Sequence, residues 1–161
     1  AIKLIKCGGL RPAMDVVRAG AAHGLAVTVI DPLGSAVSLH AGLAVAVTIA
    51  AVAEALTFAS KAGADPAKVR EALMGGLASS RILELLGERM IKRNFEPGGP
   101  LRINQKDVNL ALQLARSLHM SLPCTAIAQQ LYSAAAARGG MEMDHSSMVL
   151  AIEALADHPV A

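Results

Sequence analysis

"MDHSSM" sets Asp144, His145, Ser146 and Ser147 side by side, the residue types of a nucleophilic triad. Triads are assembled by folding rather than by adjacency, and an acid ahead of an apolar helical run is far more often a cap, which is the better reading of Asp144. Lys106 followed by Asp107, near the start of a helical segment, offers an ammonium that could hold a phosphate or a carboxylate. The plain alternative is a solvated lysine. "CGGLRP" after a strand could turn around a phosphate, and Asp31 stands where a dinucleotide fold keeps its ribose-binding acid. The G-x-G-x-x-G spacing is absent and Pro12 removes an amide donor, so a helix-start turn explains the stretch better. Lys3 and Lys6 are an odd number apart on the first strand and point to opposite faces; the inward one is functional or snorkels to the edge. The five histidines and two cysteines form no pair at metal-ligand spacing, so no metal site is expected.

The elements that must position these groups change character near residue 35. Ile2 to Cys7 alternates as a strand, "RPAMDVVRAGAAHG" forms a helix from about Pro12, and "LAVTVI" is a second strand, which together predict a βαβ unit with two parallel strands. Two strands alone are not a stable sheet and need a partner, most simply a second copy of the chain. Everything later is helical. Ser35 caps a long apolar helix running to about Lys61, and Asp65 with Pro66 starts the next. "SSRILELLGERMIKR" places Ile82, Leu86 and Met90 four apart, and "NFEPGGP" is a loop. Val108, Leu112 and Leu118 lie at helical spacing; Pro123 opens a further helix, and a last one runs from about His145 to Ala156. The predicted fold class is mostly α, with residues 1–34 a βαβ fragment and 35–161 a helical domain around a long central helix.

Composition limits the partners. Hydrophobic residues make up 53% of the chain and aromatics 2%, so the core is built from Ala, Leu, Val, Ile and Met, a palette for close-packed helices. The formal charge of +2 is too small, and its Lys and Arg too scattered, for nucleic acid. Cys7 and Cys124 form no C-x-x-C pair and read as small core residues in a reducing cytoplasm. No signal peptide is evident, and the chain opens on Ala1 rather than Met, as a processed or excised piece would. The stretch "SAVSLHAGLAVAVTIAAVAEAL" carries no Lys, Arg or Asp and is long enough to cross a bilayer. Its recurrent Ala, Ser, Thr and Gly, and the amphipathic helices after it, favour a helix covered all round by its own domain and a partner.

From about Val45 onward the chain strongly resembles the C-terminal helical domain of the β-hydroxyacid dehydrogenases, of the tartronate semialdehyde (2-hydroxy-3-oxopropionate) reductase kind. The matching pieces are "EALTFASKAGADPAKVREALMGGLASSRILELLGERMIKRNFEPG", "QKDVNLALQLARSLHMSLPCTA" and "DHSSMV". The resemblance implies an all-α domain that mediates dimerisation and works with a Rossmann domain and NADH or NADPH on a small hydroxyacid semialdehyde. The family's long helix opens Gly-x-x-x-Lys-x-x-Asn; here Gly34 fits the glycine, but Ser38 stands at the catalytic lysine and Ala41 at the asparagine. A serine at neutral pH cannot protonate a developing alkoxide as an ammonium can. Lys106 falls at the family's cofactor-side lysine. Over a shorter stretch, "IKLIKCGGLRPAMDVVRAGAAHGLAVTV" and "GSAVSLHAGLAVA" resemble late barrel segments of the enolase superfamily, of the muconate-cycloisomerase kind, with Lys3 at the acid/base lysine. The metal-binding carboxylates of that chemistry are not in this chain.

These readings lead to a non-catalytic, chimeric or engineered helical domain that self-associates as a homodimer or larger homo-oligomer, with no catalytic residue, cofactor or metal. The alternative is a truncated or divergent NAD(P)H-dependent 2-hydroxy-3-oxopropionate reductase, with Lys106 at NADP or NAD. A small hydroxyacid held near Lys106 and Asn109 is a further expectation. No membrane partner is expected, and the predicted location is the cytoplasm.

Overall fold

The computed structural model describes the backbone of residues 2–3, 10–23, 29–30 and 36–160, and side chains at 15–23 and 39–160. Two compact units divide at Ala41 and Gly42, inside the long helix.

In the first unit, β1 (Ile2–Lys3) and β2 (Val29–Ile30) pair in parallel, Ile2 opposite Val29, on either side of α1 (Leu10–Ala22). Two residues per strand are too short to make a layer. None of the described α1 side chains at 15–23 is buried, so no stripe of that helix is shown seated on a sheet. The expected βαβ unit is therefore not supported, and the described architecture is mostly helical. Cys7, Asp31, the "CGGLRP" turn and the side chains of Lys3 and Ser38 lie outside the described residues.

Helix α2 (Ala36–Lys61) carries the apolar stretch into the second unit. Ala46, Ile49, Ala53 and Leu56 have no exposed surface and recur at steps of three and four, the period of one helix face. They join one cluster with Leu83, Met90, Leu101, Val108, Tyr132, Met148 and Val149. Among the described residues, Leu39–Lys61 alone is long and apolar enough to cross a membrane, and 39% of its most apolar 18-residue stretch is buried inside the protein. The helix ends as its residues require. Gly63, at φ +85°, occupies the left-handed position that glycine adopts without strain, and Ala64 N–H donates back to Ala59 O at 3.0 Å.

Helix α3 (Pro66–Met74) starts where the sequence places it: the Asp65 carboxylate accepts from Ala67 N at 2.8 Å, with Pro66 in the first turn. The next segment departs from a regular helix. Leu83–Gly87 is a π turn leading into α4 (Glu88–Ile91). Arg70 on α3 explains the widening, since its Nε donates to Leu83 O at 3.1 Å and its Nη2 to Glu84 O at 2.6 Å, taking carbonyls a regular ladder would use. Gly87 lets that side chain come close; a Cβ there would sit 3.4 Å from Arg70 Cδ.

Helices α5 (Leu101–Ser117) and α6 (Pro123–Ala137) pack on each other, and α7 (Met148–Ala156) packs on α6. The short connection 118–122 makes α5 and α6 antiparallel neighbours. Two sequence expectations fail at this corner. Leu118 is 64% exposed because α5 has already ended there, and Cys124 is exposed rather than core, because the first two turns of α6 bury Thr125 and Ala128 instead.

Candidate functional site

The loop "NFEPGGP" and the segment 143–147 are zipped together by backbone hydrogen bonds: Leu101 N to Met143 O at 2.9 Å, Asp144 N to Phe95 O at 3.0 Å and His145 N to Gly99 O at 2.9 Å. Their centre is Asp144, whose side chain is 3% exposed. Its Oδ2 accepts from Gly98 N (3.0 Å) and Gly99 N (3.2 Å), and its Oδ1 from Ser146 N (3.0 Å) and Ser146 Oγ (2.7 Å). Arg89 Nε lies 3.2 Å from Oδ1, and the same guanidinium donates to Asn94 O and Glu96 O. Burial pushes this carboxyl upward, but the Ser146, Gly99 and Gly98 hydrogen bonds outweigh it and hold the group below its ordinary range. Every acceptor direction is taken, so Asp144 is a fixed anion that organises two loops. It caps the turn His145–Ser147, and no triad forms.

His145 lies against Gly99 so closely that a Cβ at that glycine would be 2.3 Å from the imidazole Nε2. Its Nδ1 is buried without a hydrogen-bond partner. Burial lowers the affinity of this ring for a proton, against the pull of the Asp144 and Asp107 carboxylates. The imidazole is therefore a neutral group beside two anions. It lines an open cleft of about 550 Å³ with Leu85, Leu86, Arg89, Lys92 and Gly99.

Asp107 connects this region to α2. Its carboxylate approaches Gly42, where a Cβ would lie 3.1 Å from Oδ2, and Lys106 Nζ lies 3.1 Å from its Oδ1. The Lys106 side chain is 51% exposed, so its ammonium is oriented by a neighbouring acid and still open to a second anion. Asn109 is exposed. Behind them, Asn104 Nδ2 donates to the fully buried Tyr132 hydroxyl at 3.2 Å, which fixes α5 against α6. Ala41 is exposed and offers no polar atom, and Ser38 is in α2. Among the described residues no group of three His, Cys, Asp or Glu could hold a metal. The structure thus places the lysine singled out from the sequence beside an acid. His145, passed over with the triad, is the group sequence reasoning missed. The pair Gly98–Gly99, a signal of close backbone approach, was the one available clue to it.

Comparison with known proteins decides what this arrangement belongs to. Residues 33–152 match the family described as NAD-binding of NADP-dependent 3-hydroxyisobutyrate dehydrogenase. The chain belongs to this family. It is 60% identical over 117 residues to a 2-hydroxy-3-oxopropionate reductase of Escherichia coli (strain K12), covering 73% of the chain and 40% of that protein. A probable 3-hydroxyisobutyrate dehydrogenase-like 1 protein, mitochondrial, of Arabidopsis thaliana is 35% identical, over 70% of the chain and 34% of its own length. The chain therefore spans well under half of the curated relatives it matches. The fold is shared with a 3-hydroxyisobutyrate dehydrogenase of Salmonella typhimurium, at a TM-score of 0.71 and 24% identity over 88% of this chain and 48% of that one. A Mycobacterium tuberculosis 3-hydroxyisobutyrate dehydrogenase solved with L-serine gives a TM-score of 0.67 at 18% identity, over 84% of this chain and 51% of that one.

These findings do not show the expected chimera. The family match opens at residue 33, ahead of α2, so that helix lies wholly within it. Nothing in the relatives supports the enolase-like reading of the first segment or an engineered origin. The family description points to NAD(P) use and gives no support to the expectation of no cofactor.

Proposed function

We propose that this chain is the helical part of an NAD(P)H-dependent reductase of the 2-hydroxy-3-oxopropionate type, rather than a non-catalytic scaffold. The observation that carries the reading is the 60% identity to such a reductase across the helical domain. Lys106 is the residue suited to the cofactor or to the substrate carboxylate: it keeps an exposed ammonium whose direction is set by Asp107 at 3.1 Å. When bound, NAD(P)H supplies the reducing equivalent. The chain's own residues bind and orient; Asp107 holds Lys106, and the neutral His145 bounds the cleft. Ser38 and Ala41 at the family's lysine and asparagine positions leave α2 without its usual proton donor, so turnover by this chain is expected to be slow.

An NADPH-oxidation assay with tartronate semialdehyde at high protein concentration tests this reading beside Lys106→Ala. The expected result is turnover, or failing that measurable NADPH binding, that falls tenfold or more in the variant. Equal turnover and equal nucleotide binding by the two proteins would remove Lys106 from the site. A folded chain with neither turnover nor binding would restore the scaffold reading.

Self-association in a reducing cytoplasm accompanies this function, and α2 supports it. Ala44, Ala51, Ala55 and Phe58, with Thr48 between them, recur at steps of three and four on the side of the helix away from the core, and Phe58 is 75% exposed. That spacing is a seam along which a second helix can approach closely. Light scattering is expected to give at least twice the monomer mass of 16.5 kDa, and a monomer at all concentrations would refute the seam.

A further inference from the structure

The C-terminal segment does more than end the last helix. Asp157 takes a left-handed conformation (φ 47°) that turns the chain out of α7, after which His158 N donates to Glu153 O at 3.1 Å. The segment then runs back across the end of α2. Ser60 Oγ donates to Pro159 O at 3.2 Å and lies 3.0 Å from His158 Nε2. A hydroxyl has one proton, here given to the proline carbonyl, so the imidazole must be the donor in the second contact. Lys61 Nζ meanwhile donates to Ala156 O. Val160 closes the path, 1% exposed, with its N–H on Glu153 Oε1 at 2.7 Å.

Glu153 is the group around which this closes. It is 8% exposed, and two donors, Arg93 Nη1 and Val160 N, both reach the same Oε1. Arg93 is itself held in a left-handed conformation (φ 55°), with its guanidinium 5.4 Å from the centre of the Phe95 ring. Opening the tail removes one of the two donors from a buried carboxylate, and moving the Arg93 turn removes the other; either change makes the second easier.

We propose that residues 157–160 are a clasp that closes over the Glu153 carboxylate and locks the last turn of α2 to α7 and to the Arg93 turn. It opens as one unit, a local transition that frees the end of α2 while the α5–α6 core stays folded.

Hydrogen exchange of the intact chain, followed by mass spectrometry, tests it in the parent, in Ser60→Ala and in Glu153→Gln. In the parent, the amides of His158 and Val160 are expected to be protected. Ser60→Ala is expected to speed exchange at 157–160 at least tenfold, with a parallel rise at 62–64, where Ala62, Gly63 and Ala64 close the end of α2. Glu153→Gln adds 93–96 to the affected set. Unprotected tail amides in the parent would overturn the clasp. So would a faster tail in Ser60→Ala with no change at 62–64. Should Glu153→Gln fail to fold, Ser60→Ala decides alone, because its hydroxyl lies at a partly exposed helix end.

Discussion

Asp144→Ala is expected to cost about 3–5 kcal/mol in urea unfolding, because it leaves the Arg89 guanidinium and the Gly98 and Gly99 amides without their shared acceptor. Asp144→Asn should not rescue it: the amide nitrogen of asparagine would face donors on whichever side it is placed, since both carboxylate oxygens accept from N–H groups. The loss appears as a lower midpoint at an unchanged slope. Its pH dependence carries a separate signature. The carboxyl is held below its ordinary value of 3.8, so its stabilisation is present above that value and disappears as pH falls through the lower folded value. His145 acts earlier. Burial holds it below the ordinary 6.5, the unfolded chain takes up its proton first, and stability declines as pH falls from 6.5 towards the folded value. The parent should therefore lose stability in two acid steps. In Asp144→Ala the second step is smaller, and the first moves further down because an anion that favours the charged ring has gone. A single step shared by parent and variant would mean that Asp144 is not the organising charge.

The parts of this fold legible in the sequence are those whose cause is local. Asp65 ahead of Pro66 announces a helix start because the capping oxygen and the amide it serves are two residues apart. Pro123 announces α6 for the same kind of reason, and Asp144 reads correctly as a cap. The period of α2 shows that the helix exists and which face carries Ile49 and Leu56. What failed depends on distant partners. The π turn at Leu83–Gly87 forms because a guanidinium thirteen residues earlier takes the Leu83 carbonyl. The hub at Asp144 is built from the backbone amides of Gly98 and Gly99, 46 and 45 residues away, and backbone donors leave no mark on residue type. Cys124 reads as core on its type alone, although its turn buries the next residue instead. In the candidate site, Lys106 and Asp107 are adjacent and were visible together, whereas His145 reaches their neighbourhood only once two loops are zipped.

Tyr132→Ala is expected to cost about 3–5 kcal/mol, near the top of the range for one side chain, because of what surrounds it. Among the described residues Tyr132 is the largest fully buried side chain, in a chain where aromatics are 2% of residues. The positions of α6 that flank it on the buried face are Ala128 and Ala135, which have no length to reach into the space a ring vacates. The cavity would persist, and persistent cavity volume is what separates costly truncations from mild ones. Tyr132→Phe isolates the hydroxyl. It keeps the ring and leaves Asn104 Nδ2 without its acceptor, for about 1–3 kcal/mol. The phenol adds a test at alkaline pH. Burial pushes it up to about 12, against the opposing hydrogen bond from Asn104. Its stabilisation is complete below 10, the ordinary value, and is lost as pH rises from 10 to about 12, because the unfolded chain ionises first. Tyr132→Phe has nothing to ionise there, so the stability difference between parent and variant should narrow across that interval. A constant difference would mean that the hydroxyl reaches solvent, and that α5 and α6 are not joined through Asn104 and Tyr132.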